Sequence, residues 1–164
     1  MLLYLLRHGI AEDHGSRASD AERELTDEGK EKTRAALLAV KKMKLFPPEL
    51  VIASPLIRAK QTAEIALEVF AKDGKFEISD ALIPMAEITD TMSLVAKWAK
   101  KYNRIMLVGH EPHLSSFGSA LLGSPSPVIE MKKAAVAKFE ISRLDVPRMR
   151  GLLVALLPPK IGSI

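Results

Sequence analysis

The sequence predicts an α/β fold, a three-layer sandwich in which helices cover both faces of a mainly parallel central sheet. Short apolar runs alternate with longer amphipathic runs along the chain, which indicates the order strand, helix, strand, helix. The 164 residues suffice for one ordinary domain, and no internal repeat or low-complexity segment divides them. We therefore expect a single domain spanning residues 1–164.

The apolar runs are the candidate strands. Residues 2–6, 50–53 and 105–108 are short and continuously apolar, which is typical of strands buried on both faces. The other runs are shorter or lie near the end of the chain, and we expect the last two to close the sheet. The complete set of predicted strands is 2–6, 50–53, 76–78, 105–108, 135–141 and 152–157.

The amphipathic runs between these strands predict four helices. Thr26 is placed to cap the first, with acidic residues in the first turn that follows. Ser54 and Pro55 form a cap and first-turn proline, which predicts the start of the second helix there. Asp90 could cap the third, and the fourth covers roughly residues 113–122.

Composition excludes several kinds of chemistry. The chain has no cysteine, so disulfides, thiolate catalysis and Cys-ligated zinc are excluded. The formal net charge of +4 suits an anionic substrate slightly better than a cationic one, and without a long basic run it is weak evidence for nucleic-acid binding. The apolar runs are too short for a signal peptide or a membrane span. We expect a cytoplasmic protein that binds neither nucleic acid nor membranes.

Three polar clusters follow directly on predicted strands. The first strand runs into Arg7 and His8, the second leads to Arg58, and residues 105–108 run into His110. Because the carboxyl ends of parallel strands share one edge of a sheet, these residues should converge there, where α/β proteins bind ligands.

Two arginines with two histidines indicate an oxyanion site. Guanidinium groups match phosphate oxygens in a planar, bidentate way. A neutral imidazole can attack phosphorus, and a protonated one can donate to an oxygen. Gly9 would let the backbone approach a ligand closely, since it has no side chain.

These clusters resemble the motifs of the histidine phosphatase superfamily, the phosphoglycerate-mutase-like group. The chain carries Leu6-Arg7-His8-Gly9, then residues 54–63 with the sequence Ser-Pro-Leu-Ile-Arg-Ala-Lys-Gln-Thr-Ala, and Val108-Gly109-His110-Glu111-Pro112. The motifs occur in the family's order and span nearly the whole chain. The short length and the form of the third motif are most similar to the SixA-type phosphohistidine phosphatases.

The resemblance implies a metal-independent phosphatase without a cofactor, in which phosphoryl transfer proceeds in two steps. His8 would be the nucleophile that becomes phosphohistidine. Arg7, Arg58 and His110 would hold the phosphoryl oxygens as charge develops, together with the backbone of Gly9. The two arginines would take the part that Mg²⁺ has in other phosphoryl-transfer enzymes.

The family commonly uses a carboxylic acid to protonate the leaving oxygen, and its expected place is after the short third strand. Glu87 and Asp90 are the candidates there, although a solvated loop residue and a helix cap are the alternative interpretations of the two. A leaving imidazole depends less on an acid than an alkoxide does. Arg23 and His113 are further candidates for substrate contact, with ion pairing and helix packing as the alternatives.

Three hypotheses about function follow. The first is a phosphatase for phosphohistidine in a protein. The second is a phosphatase of the same chemistry for a small phosphomonoester, which would be favoured by a clear acid near Glu87. The third is a non-catalytic phosphate-binding module, against which the intact His8 argues. Residues 10–24 form a long polar loop whose closure over the pocket the sequence leaves open.

Overall fold

A computed structural model of the chain describes residues 1–43, 47–70 and 74–159. The strands are β1 (Leu2–Arg7), β2 (Leu50–Ala53), β3 (Lys75–Ile78), β4 (Arg104–Gly109), β5 (Val136–Arg143) and β6 (Arg150–Leu157). The α-helices are α1 (Asp27–Lys42), α2 (Ile57–Phe70), α3 (Ile88–Trp98) and α4 (His113–Leu121), and short 3-10 helices occupy Asp20–Glu22 and Asp80–Leu82.

The strands form one sheet in the order β3-β2-β4-β1-β5-β6. The pairs β1–β4, β2–β4 and β2–β3 are parallel, whereas β5 lies antiparallel to β1 and β6 antiparallel to β5. The expectation of a mainly parallel sheet is confirmed. β2, β4 and β1 lie side by side, and as predicted they end at the same edge.

Helices cover both faces of this sheet. On one face, Leu37 of α1 and Ala66 of α2 belong to the same buried cluster as Tyr4 of β1. On the other face, Phe117 of α4 packs in a second cluster with Leu5. Successive β1 side chains therefore enter opposite cores, which is why that strand is continuously apolar.

The observed helix starts agree with the predicted N-cap residues in some cases and not in others. Thr26 caps α1 as predicted, because its hydroxyl accepts a hydrogen bond of 2.9 Å from the N–H of Gly29. The predicted start of the second helix at Ser54 is wrong: α2 begins at Ile57, and Ser54 lies in the short segment between β2 and α2.

The predicted cap of the third helix is also wrong. Glu87 occupies the N-cap position of α3, and Asp90 lies within the first turn. There the negative charge of Asp90 interacts favourably with the positive end of the helix dipole. Ile88 packs against the core on this face, and burying it extends the helix ahead of Asp90. Within the described ranges, no helix combines the length and apolar character needed to cross a membrane.

Candidate active site

A cavity of about 460 Å³ opens at the carboxyl ends of β1 and β4 and the start of α2. All four side chains that the motifs place at one edge of the sheet line it. Its basic and histidine side chains are Arg7, His8, His14, Arg23, Arg58, His110 and Lys133, and its carboxylates are Glu12, Asp13, Asp20 and Glu111. The predicted convergence of Arg7, His8, Arg58 and His110 is therefore what the structure shows.

His8 follows β1 directly and is fixed by two hydrogen bonds. Its backbone N–H donates to the carbonyl of Gly109 at 3.0 Å, which continues the β1–β4 pairing past the strand. Its Nδ1 lies 2.7 Å from the carbonyl oxygen of Gly9. A carbonyl only accepts, so Nδ1 carries the hydrogen, and the lone pair of the neutral ring is on Nε2.

His110 stands beside His8, with ring centroids 5.0 Å apart and ring planes inclined by 53°. Both of its ring nitrogens are enclosed, and neither finds a hydrogen-bond partner among the described residues. Buried polar atoms nearly always have partners, so an unpaired imidazole at a cavity wall is a group ready to bind a ligand.

Burial keeps both imidazoles neutral. It lowers the pKa of His8 to about 3, helped by the charges of Arg58 and Arg7 and opposed by the hydrogen bond to Gly9. Burial likewise lowers the pKa of His110 to about 3, and the neighbouring His8 adds to this. At neutral pH the cavity therefore presents an uncharged nucleophilic nitrogen next to two permanent cations.

Arg58 lies in the first turn of α2 and is almost fully buried. Its Nη1 donates to the backbone oxygen of Asp20 at 2.7 Å, and its Nη2 donates to Asp20 Oδ2 at 2.8 Å. A guanidinium has five N–H donors, so these two bonds fix the group and leave others for a ligand. The carbonyl of Arg58 accepts from the hydroxyl of Thr62, which in turn accepts from the N–H of Gly9.

Asp20 is a site residue that sequence reasoning missed. Besides Arg58, it accepts from Arg23 Nε at 2.8 Å, and His14 Nδ1 lies 3.1 Å from Oδ1. Although partial burial opposes the effect, the hydrogen bonds from Arg58 and Arg23 lower the pKa of Asp20. No local pattern singles it out, because Arg58 is 38 residues away in sequence. The 10–24 loop thus forms one wall of the cavity.

Arg7 is held by a backbone carbonyl from a distant part of the sequence. Its Nη1 donates to the backbone oxygen of Met131 at 2.8 Å, and its Nε is enclosed without a hydrogen-bond partner in the described residues. The guanidinium therefore has a fixed position and retains unused donors, as a phosphoryl-binding group requires.

Gly9 has a structural reason that differs from the one expected. It is not among the cavity residues, and a Cβ there would stand 2.2 Å from Thr33 Oγ1 and 3.2 Å from the carbonyl oxygen of Gly29. Both neighbours belong to α1. Glycine is needed so that the chain after His8 can pass close to this helix.

The two further candidates for substrate contact have different surroundings. Arg23 lines the cavity, where it pairs with Asp20 and donates to the backbone oxygen of Glu12 at 2.5 Å, so it is both ion-paired and next to any ligand. His113 is buried in α4, with its Nε2 2.8 Å from Thr91 Oγ1 of α3. It packs between the two helices rather than at the cavity.

The structure does not bring the candidate acids to this cavity. Glu87 and Asp90 line a separate surface depression together with Ile78 and Met85. Glu111, which the sequence reasoning did not single out, lies on the cavity wall instead. Its position directly after His110 in the third motif was the available signal.

The arrangement suits a phosphoryl-sized anion. Two fixed guanidinium groups supply charge, His110 supplies an unpaired imidazole, and His8 supplies a lone pair on the same cavity. In the part of the chain that the structure describes, no three histidine, aspartate or glutamate side chains are clustered so as to hold a metal ion.

Comparison with known proteins defines the class. The protein-family model of the histidine phosphatase superfamily (branch 1) matches residues 3–87. An uncharacterised protein of Picosynechococcus sp. is 32% identical over 138 residues, which are 83% of this chain and 82% of that protein. The chain belongs to the histidine phosphatase superfamily, branch 1.

Solved structures agree with this membership. The protein histidine phosphatase SixA complexed with tungstate superposes with a TM-score of 0.84 at 22% identity, covering 97% of each chain. A candidate phosphohistidine phosphatase SixA from Agrobacterium tumefaciens gives 0.76 at 25% identity, over 96% of this chain and 97% of the other. A mycobacterial glucosyl-3-phosphoglycerate phosphatase gives 0.73 at 19% identity, over 96% and 99%. The protein is a phosphatase with a SixA-like, phosphoglycerate-mutase-like fold.

Proposed function

We propose that this phosphatase hydrolyses phosphohistidine in a protein, by way of a covalent phosphohistidine at His8. The observation that carries the proposal is the state of His8. Its Nδ1 is committed to the carbonyl of Gly9, so its Nε2 lone pair is free beside Arg7 and Arg58. Neutral imidazole is the form that attacks phosphorus, and burial maintains that form at neutral pH.

The reaction takes two in-line displacements. In the first, His8 Nε2 forms a bond to phosphorus while the bond to the leaving group breaks, and the leaving group departs with its electron pair. In the second, water forms a bond to phosphorus, the P–N bond breaks, and the electron pair returns to Nε2. Arg7, Arg58 and an N–H of His110 stabilise charge on the phosphoryl oxygens in both transition states.

The surroundings of the leaving group favour phosphohistidine as the substrate. An alkoxide leaving group needs an acid, and the two candidates Glu87 and Asp90 lie in another depression. An imidazole can leave carrying its own proton near neutral pH, so the lack of these acids costs it little. The likeness to the SixA structures points to the same substrate class.

A small phosphomonoester is the second candidate. The cavity volume of about 460 Å³ falls in the range of small-molecule sites, and the mycobacterial protein of similar fold is a glucosyl-3-phosphoglycerate phosphatase. The third hypothesis, a non-catalytic module, fits poorly with a chain that retains His8, Arg7 and Arg58. A cytoplasmic location, one domain over residues 1–164 and independence from metals and cofactors remain predictions.

The deciding experiment compares kcat/KM for a phosphohistidine protein and for an aryl phosphate, using the wild type and His8→Asn. We expect the phosphohistidine protein to be strongly preferred and His8→Asn to be inactive on both substrates, with unchanged thermal unfolding. Preference for the aryl phosphate or a sugar phosphate would favour the second candidate. A His8→Asn variant with the wild-type rate would contradict the mechanism itself.

A further inference from the structure

Four carboxylates line the active-site cavity, and they differ in what they contact. Both oxygens of Glu12 accept hydrogen bonds from Arg17, at 2.7 and 2.8 Å. Asp20 is bonded by Arg58 and Arg23, as described above. Asp13 is an exposed residue of the 10–24 loop. Neither Glu12 nor Asp20 has a carboxylate free to take up a proton without breaking an ion pair.

Glu111 is different, because one of its oxygens is enclosed and uncommitted. It follows His110 at the end of β4, its side chain is only partly exposed, and it lines the cavity. Its Oε1 is shielded from solvent and accepts no hydrogen bond from any residue in the described ranges. Enclosing a carboxylate oxygen without a partner is unfavourable, so such a group at a reactive cavity calls for a functional reason.

The negative charge of Glu111 acts on Arg7, one of the two arginines of the phosphoryl site. Burial lowers the pKa of Arg7, and the negative charges of Glu111 and Glu130 oppose that effect. Both carboxylates therefore act on the same guanidinium, but only Glu111 lines the cavity. This difference separates a chemical role for Glu111 from a purely electrostatic one.

We propose that Glu111 is the general base of the second displacement, a role that rests on the proposed phosphorylation of His8. Its carboxylate accepts a proton from the water that attacks phosphorus. The water oxygen bonds to phosphorus, the bond between phosphorus and His8 Nε2 breaks, and the electron pair returns to the ring. The proton then passes from Glu111 to solvent as inorganic phosphate leaves.

The same side of the phosphorus atom serves both steps. In-line geometry places the leaving group opposite His8 in the first step, and the attacking water enters from that side in the second. A leaving imidazole needs no proton from the wall, whereas an attacking water must lose one. A carboxylate that acts as a base in the second step, with Glu87 and Asp90 outside this cavity, is thus the complement expected for a phosphohistidine substrate.

The test follows the two steps separately in Glu111→Gln. With a radiolabelled phosphohistidine protein, rapid quenching measures the formation and breakdown of acid-labile, alkali-stable phosphate on the enzyme. We expect formation within about twofold of the wild type and breakdown slowed by about 100-fold, the lower end of general-base contributions. The phosphoenzyme should therefore accumulate. Glu111→Asp, which keeps a carboxylate, should slow breakdown less.

Glu130→Gln is the matched control, because it removes the other negative charge that acts on Arg7. Wild-type rates of both steps are expected for it. Equal slowing of both steps in Glu111→Gln, or the same slow breakdown in Glu130→Gln, would overturn the base role while leaving phosphorylation of His8 intact. If Glu111→Gln does not fold, Glu111→Ala and Glu111→Asp replace it in the test. The base role would then be overturned if the phosphoenzyme of Glu111→Ala breaks down at the wild-type rate. It would also be overturned if breakdown is slower in Glu111→Asp than in Glu111→Ala. Wild-type enzyme that never carries phosphate on His8 would overturn both proposals.

Discussion

Acidification from pH 7 to pH 5 should destabilise the folded protein through His8 and His110. Both side chains are more than nine-tenths buried, with relative exposures of 7% and 2%. Burial holds the pKa of each at about 3, whereas an unfolded histidine has a pKa near 6.5. The unfolded chain therefore binds protons in this range while the folded chain does not.

The sign and size of the effect follow from this difference. The stability is fully present above the unfolded pKa of about 6.5 and is lost progressively as the pH falls toward 3, because protons stabilise only the unfolded state there. Between pH 7 and pH 5 each histidine should lower the free energy of unfolding by roughly 2 kcal/mol. This is a large share of the stability of an ordinary domain.

Urea-induced unfolding of the wild type, His8→Asn and His110→Asn at pH 7, 6 and 5 measures this directly. Each variant should lose about 2 kcal/mol less than the wild type over that interval, since asparagine does not titrate. Burial also lowers the pKa of His113, but its contribution is common to all three proteins. His14→Asn is the control, because the His14 side chain is 85% exposed.

An unchanged pH dependence in His8→Asn would refute the reasoning. It would mean that His8 titrates in the folded protein much as it does in the unfolded chain. The proposed nucleophile would then be partly protonated in mildly acidic solution, and burial would not be what keeps its lone pair available.

Three further predictions concern the cavity and its support. Arg58→Ala should lower kcat/KM by about 10²–10³-fold, because it removes the buried cation that we propose binds the phosphoryl oxygens; a rate near the wild type would exclude Arg58 from that role. Gly9→Ala should destabilise the fold by about 1–3 kcal/mol in thermal unfolding, because its Cβ would collide with Thr33, and adding Thr33→Ala should restore part of the loss; no recovery would place the strain at Gly29 instead. EDTA should leave turnover unchanged, whereas inhibition reversed by Mg²⁺ would reveal a required metal.

Much of the fold could be predicted from local patterns. The apolar run at residues 50–53 matches β2 residue for residue. Thr26 caps α1 through a hydrogen bond to a residue only three positions away in the sequence. The main residues of the site could be predicted too, because Arg7 ends β1 and His110 follows β4, and the ends of these parallel strands share an edge. In a parallel sheet, residues at the carboxyl ends of neighbouring strands lie close together even when they are far apart in sequence.

Local signals failed where tertiary packing competes with them. Ser54 with Pro55 has the composition of a helix start, and Asp90 that of a cap, yet both helices begin elsewhere. The expected acid near Glu87 is not at this cavity for a related reason. Position after a strand predicts the edge of the sheet but not which cavity a loop side chain will line.

The sequence by itself determined the α/β class, the positions of the strands that carry the motifs, and the gathering of Arg7, His8, Arg58 and His110. Only the tertiary structure decided that Asp20 holds Arg58, that Glu111 has an enclosed carboxylate oxygen, and that both active-site histidines are neutral. Hydrogen bonding and desolvation depend on groups that are far apart in the chain and adjacent in space, and no pattern of neighbouring residues encodes them.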